Sequence, residues 1–152
     1  MGVLYTVTPP TEEVAEWLGD LGVGMPRNSS SRLPLLHEVR TALDSLDGFS
    51  VEYTDNGIGS HWQAMVTSVD DPDTGGWTLL NITNRKDDSE PQEIWFEKGF
   101  PELIVEILTQ ISSSCGTLIL IPDTGCRPLV IPPRSDPRLL CAQWEHLEPT
   151  NG

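Results

Sequence analysis

Residues 49–69 read FSVEYTDNGIGSHWQAMVTSV, and this stretch decides the fold. Phe49, Val51 and Tyr53 alternate with Ser50, Glu52 and Thr54, the period of two that puts successive side chains on opposite faces of a strand. Asn56-Gly57 then supplies the chemistry of a tight turn, and His61 to Val69 resumes as a second strand. The loop Asp70-Asp71-Pro72-Asp73-Thr74-Gly75-Gly76 leads to a third strand, Trp77 to Thr83. A polar turn, Asn84 to Gln92, leads to a fourth, Glu93 to Glu97. Consecutive strands joined this way make an antiparallel meander with one apolar face to cover.

The flanking segments supply that cover. Upstream, Val14, Trp17, Leu18 and Leu21 recur at helical spacing, with Pro10 before them, Glu12 and Glu13 in the first turn and Gly22 after. Residues 22–32, GVGMPRNSSSR, have no apolar period and predict a mobile loop. A second helix from Pro34 to Leu46 places Leu36, Val39, Leu43 and Leu46 on one face, and Gly48 stops it. Downstream, Pro101 opens a third helix whose stripe of Leu103, Ile104, Ile107, Leu108 and Ile111 should lie on the sheet. Thr117–Ile121 and Leu129–Ile131 are near-continuous apolar runs, which predicts central strands. Ser135 or Asp136 can cap a short last helix with Pro137 at its first position, carrying Leu140, Trp144 and Leu147 before a frayed tail at 148–152. The expectation is a single α+β domain over residues 1–152: a mainly antiparallel sheet of about six strands, with three to four helices largely on one face.

Length and composition agree. The chain has 152 residues, 38% of them hydrophobic and 21% charged, with 13 Gly and 13 Pro, which excludes collagen, coiled coil and wholesale disorder. Nine Lys and Arg against 23 Asp and Glu give a net charge of −14, so nucleic acid and anionic membranes are both repelled. Residues 1–7 carry no basic leader and no apolar run has membrane-spanning length, which predicts a cytoplasmic protein. Met1-Gly2 followed by Thr6 also matches a myristoylation pattern, against which stands the plain alternative of a first β-strand. Cys115, Cys126 and Cys141 are odd in number and lack C-x-x-C spacing, as expected of reduced thiols.

Motifs that could carry chemistry dissolve into turns. Asp123-Thr124-Gly125 follows an apolar run, as the catalytic loop of an aspartic protease does, and Asp73-Thr74-Gly75 repeats it. Pro122, Asp123 and Gly125 are also what a plain turn requires. Asp71-Pro72-Asp73-Thr74-Gly75 opens like a calcium loop, but its twelfth position, Ile82, cannot be the bidentate ligand. His37, His61 and His146 have no partner at zinc-ligand spacing, and no nucleophile motif or phosphate loop is present. No cofactor or metal is therefore called for, and no catalytic residue is assigned. A residual hydrolase reading would use Glu52, Glu93 or Glu97 with His61 across the meander.

The charge distribution is more informative. Residues 44–106 hold fourteen acidic side chains against three basic ones, −11 of the −14. Trp62, Trp77 and Trp95 fall in the same segment, and tryptophan anchors interfaces when it is not core. One of the three is expected to be core. A small acidic α+β protein of this kind has the profile of bacterial immunity proteins and antitoxins, which neutralise basic toxins by occluding the active site. On that expectation Asp70, Asp71, Asp73, Asp87, Asp88 and Glu90 lie on loops that enter the partner's cleft, while Trp62 or Trp77 supplies apolar contact. The protein would be a monomer or weak homodimer. The alternative is a small acidic secretion chaperone or adaptor, which would need exposed apolar surface for its client; the Leu103–Ile111 stripe could serve, although burial on the sheet is its more economical use.

Overall fold

A computed structural model of the chain describes residues 4–22, 31–70, 76–123 and 128–143. Its strands are β1 (Leu4–Thr8), β2 (Phe49–Asp55), β3 (Trp62–Ser68), β4 (Trp77–Ile82), β5 (Ile94–Gly99), β6 (Leu118–Pro122) and β7 (Leu129–Ile131). Its helices are α1 (Glu12–Asp20), α2 (Leu36–Asp44), α3 (Pro101–Cys115) and α4 (Pro137–Gln143). The strands form one sheet in the order β2-β3-β4-β5-β1-β6-β7, antiparallel at every pairing. The fold is α+β, with seven strands among the described residues where about six were expected.

The added strand is β1, and it sits in the interior. Tyr5 and Val7 alternate with Leu4 and Thr6, so five residues suffice to bury two side chains and join the meander to the β6–β7 hairpin. Of the two apolar runs expected at the centre, β6 is interior but β7 is the edge strand. β7 has only three residues, and Leu129 and Ile131 are buried on one face while Val130 is half-buried. An apolar run this short reports one good face, not two.

Register assigns the faces. Val51, Ala64 and Val66, Leu80, Phe96, Tyr5 and Leu120 share one face through direct cross-strand pairs and join one core with α2, α3 and α4. On α3, Leu103, Ile104, Ile107, Leu108 and Ile111 are all buried, each contributing roughly 1.5–3 kcal/mol. The stripe of α3 is thus consumed by the fold. Leu18 of α1 and Ile119 of β6 are fully buried outside this cluster, so the second face is covered around Ile119.

Helix ends follow the local chemistry. Thr11 caps α1 by accepting from the Val14 amide (3.2 Å), and the Asp136 carboxylate accepts from the Arg138 amide (2.9 Å) at the start of α4. Trp144 and Leu147, expected on that helix, lie outside the described residues, as does the 148–152 tail. The loop expected over 22–32 also lies mostly outside them, but Arg32 at its end is well placed. Its amide donates to the Cys115 carbonyl (3.1 Å), and its guanidinium makes two bonds to Glu38, at 2.6 and 2.9 Å.

Glu38 also accepts from the Leu35 amide (2.8 Å) at the start of α2, the half of a capping box that an apolar Leu35 at the N-cap still permits. The bond from Arg32 is the main reason its carboxyl is held below the usual glutamate range. A lowered folded-state pKa stabilises above the unfolded value of about 4.3 and loses that effect as pH falls through the folded value. Glu38→Gln is therefore expected to cost about 1 kcal/mol at pH 7 and progressively less as acid takes the pH below the unfolded value and through the folded one. Urea midpoints of both proteins across that range check it. A constant difference at all pH values would show that charge is not what Glu38 contributes.

Candidate functional site: the open face of the meander

The pleat that sends Val51, Ala64 and Leu80 to the core sends their neighbours the other way. One cross-strand row there is Glu52, Met65, Leu79, Glu97 and Leu4, and the next is Thr54, Gln63, Asn81, Trp95, Thr6 and Ile121. Trp77, opposite Thr67, begins a third. Solvent reaches this face: Met65 is 38% and Leu4 43% exposed, and Trp77, Leu79 and Trp95 are half-buried. An apolar strip of Met65 and Leu79 therefore runs between the carboxylates of Glu52 and Glu97, with Trp77 and Trp95 in the adjoining rows.

Polar contacts hold the strip in place. Asn81 is fully buried between its cross-strand neighbours Gln63 and Trp95. Its Oδ1 accepts from Gln63 Nε2 (2.9 Å) and lies 2.9 Å from His61 Nε2. The Trp95 indole donates to Thr83 Oγ1 (2.9 Å), which fixes the plane of its ring. At the far end β4 and β5 slip by one residue: Thr78 faces Gly99 while Leu79 faces Glu97, leaving Lys98 as the extra residue at φ 56°. Thr78 Oγ1 donates to the Lys98 carbonyl (2.8 Å) and the Phe100 amide to the Trp77 carbonyl (3.0 Å), so this bulge sets where Trp77 stands.

The residues expected to meet a partner are placed unevenly. Trp77 lies on the open face. Trp62 does not: it is in phase with Ala64 and Val66, 1% exposed, with its ring 5.7 Å from that of Tyr53 in the core. A side chain enclosed this way offers nothing to a docking protein, so Trp62 is removed from the candidate surface. Asp71 and Asp73 lie outside the described residues. Asp70 is exposed just beyond β3, whereas Asp87, Asp88 and Glu90 are exposed in the connection from β4 to β5. Those two connections are at opposite ends of β4, about 20 Å apart at 3.4 Å per residue. The loop acids therefore form no single prong.

The second group sits on a braced loop. Gln92 is fully buried; its Oε1 accepts from the Lys86 amide (2.9 Å) and its Nε2 donates to the Lys86 and Asp87 carbonyls (3.0 and 3.1 Å). Backbone bonds tie the loop to the β2–β3 turn: the Gly59 amide donates to the Arg85 carbonyl (2.7 Å) and the Arg85 amide to the Ser60 carbonyl (3.0 Å). Arg85 pairs with Asp88 (2.5 Å) and approaches Asp55 (3.7 Å), which offsets part of the negative charge at this end. Asp87 accepts from the amide and hydroxyl of Ser89, and those bonds, the amide's first, hold its carboxyl below the usual range.

No catalytic set is assembled from the residues considered. The ring partner of His61 is Asn81 and not a carboxylate. Glu52 and Glu97 lie a row further along the strands, each paired across the apolar strip. Glu93 lines a groove of about 490 Å³ at the β1 side of this face, with Thr83, Trp95, Leu33 and β1. The Asp123 carboxylate is occupied with the Leu4 amide (3.1 Å) as the β1–β6 ladder closes. Burial pushes the Cys115 thiol up to about 11, too high to form a thiolate at neutral pH. Among the described residues no three His, Cys, Asp or Glu side chains cluster to hold a metal, and no helix is long and apolar enough to cross a membrane.

Glu52, Met65, Leu79 and Glu97 share one row of this face, although the residues alone offer the two acids only as candidates for proton transfer and as part of the acidic excess. The signal that finds them is register, which strand composition does not contain. No protein-family model, functionally described protein or solved structure matches the chain.

Proposed function

We propose that the protein is an acidic binding module that docks a basic protein through the open face of its meander. In its finer form the reading is a bacterial immunity protein or antitoxin that works in the cytoplasm and occludes the active site of a basic toxin. One observation carries it: Met65 and Leu79 lie between Glu52 and Glu97, with Trp77 and Trp95 in the adjoining rows, as a half-exposed apolar and aromatic patch. Solubility alone accounts for carboxylates but not for apolar and aromatic side chains left in water beside them. Apolar contact then supplies affinity, and the surrounding charge supplies steering and choice of partner.

The test is a tagged capture from lysate of the source cells at low salt, run beside two charge-reversed variants. Glu52→Lys/Glu97→Lys alters the strip; Glu12→Lys/Glu13→Lys changes net charge equally on exposed α1. The expected result is a stoichiometric basic protein, released by a salt step, whose affinity falls about 30-fold or more for the first variant and hardly for the second. Its own activity should fall as the captured complex forms. Recovery of no basic protein, or equal loss with both variants, overturns the proposal.

A further inference from the structure

Strand β2 is the outer strand on the candidate-site side of the sheet, and the phase of its backbone can be worked out. In an antiparallel ladder each residue directs both its N–H and its C=O to the same neighbour, and the direction alternates along the strand. The Ser68 amide donates to the Gly76 carbonyl (2.9 Å), so Ser68, Val66, Ala64 and Trp62 turn towards β4. The Val69 amide donates to the Gly48 carbonyl (2.9 Å), which turns Thr67, Met65 and Gln63 towards β2. Their partners Ser50, Glu52 and Thr54 face inward, and Phe49, Val51, Tyr53 and Asp55 direct their backbone groups out of the sheet. No described residue hydrogen-bonds the Val51 or Tyr53 backbone from that side.

An edge of this kind is usually blunted by proline, lysine, a bulge or brevity. β2 has none of these, and of the charged side chains that serve the same end only Glu52 and Asp55: it is seven residues long, reads FSVEYTD and pairs with β3 without a register shift. β7, the opposite edge, is protected by having three residues. The side chains of β2 also select what could join it. Glu52 projects onto the open face, Asp55 ends the strand, and Val51 and Tyr53 on the other face are only half-buried. A second copy pairing antiparallel about Glu52 would set carboxylate against carboxylate, which is unfavourable for directly opposed residues.

We infer that β2 accepts an extended segment of the basic partner as an additional strand, with Lys or Arg at alternate positions facing Glu52 and apolar residues between them covering Val51 and Tyr53. The inference rests on the basic-partner reading and specifies how that partner is held. Main-chain bonds to Val51 and Tyr53 provide attachment, and the alternating side chains provide selectivity.

The probe is a capped octapeptide alternating lysine and valine, compared with one alternating glutamate and valine, at low salt. The lysine peptide is expected to slow amide exchange at Val51 and Tyr53 at least tenfold, and the glutamate peptide to leave it unchanged. Val51→Pro removes one outward N–H and keeps the bonds of Ser50 and Glu52 to β3, as proline on an edge strand permits. It should weaken binding of the peptide at least tenfold with its unfolding midpoint close to that of the parent. If that variant does not fold, protection at Val51 and Tyr53 in the parent still decides. No binding of the lysine peptide, binding that perturbs only Trp77 and Trp95, or concentration-dependent protection without peptide each overturns the added strand. A captured basic protein that binds Val51→Pro as tightly as the parent also overturns it and leaves the docking proposal standing, whereas that proposal fails when no basic protein is captured at all.

Discussion

Trp62→Ala is expected to destabilise the protein by about 3–5 kcal/mol, while Trp77→Ala costs about 1 kcal/mol or less and acts on binding instead. The two indoles belong to neighbouring strands and differ in phase. Trp62 pairs directly with Asp55 and Ile82 on the helix-covered face and is 1% exposed, so its removal leaves a cavity that Tyr53, Ala64 and Leu80 cannot all move to fill. Trp77 is half-exposed on the open face, and water can occupy the space it leaves. Urea unfolding of both variants at neutral pH separates them, and the captured partner's affinity for Trp77→Ala should fall about tenfold or more. A loss below about 1.5 kcal/mol for Trp62→Ala would mean that this end of the core is loosely packed.

That difference was partly readable from residues alone. In β3 the set Trp62, Ala64 and Val66 is apolar, whereas Gln63 and Thr67 make the other set polar apart from Met65, so the strand largely declares its own buried face. β4 does not: Trp77, Leu79 and Asn81 alternate with Thr78, Leu80 and Ile82, and neither set is clearly the core one. Only register with β3, which sets Leu80 opposite Ala64, sends Trp77 outward. The separation of the loop acids was likewise implied by the topology, since successive turns of a meander fall at alternate ends of its strands. The interior place of β1 was not. Its partners are β5 and β6, roughly ninety and more residues away, and such pairings leave no local signature.

The bulge beneath Trp77 ties stability to the site, and Gly99→Ala is the substitution that exposes the link. Gly99 has φ 106°, a conformation that a residue with Cβ adopts only under strain. A Cβ there would collide with the Trp77 carbonyl and lie 2.5 Å from Thr78 Cβ and 2.6 Å from Thr78 Oγ1. Two of those contacts are to backbone or to an atom beside it, so no side-chain rotation relieves them. Overpacking and backbone strain of about 1–3 kcal/mol each give an expected loss of about 3 kcal/mol. Lys98, one residue earlier, also has positive φ, 56°. Lys98→Gly is expected to change stability by less than about 1 kcal/mol, because it relieves strain while adding chain entropy. The pair therefore distinguishes crowding at Gly99 from mere tolerance of left-handed backbone. Since relief at Gly99 requires β4 to move, the Trp77 end of the strip should shift with it. Below its unfolding temperature Gly99→Ala should thus bind the captured partner more weakly than Lys98→Gly, and equal affinity would show that the bulge serves the sheet alone.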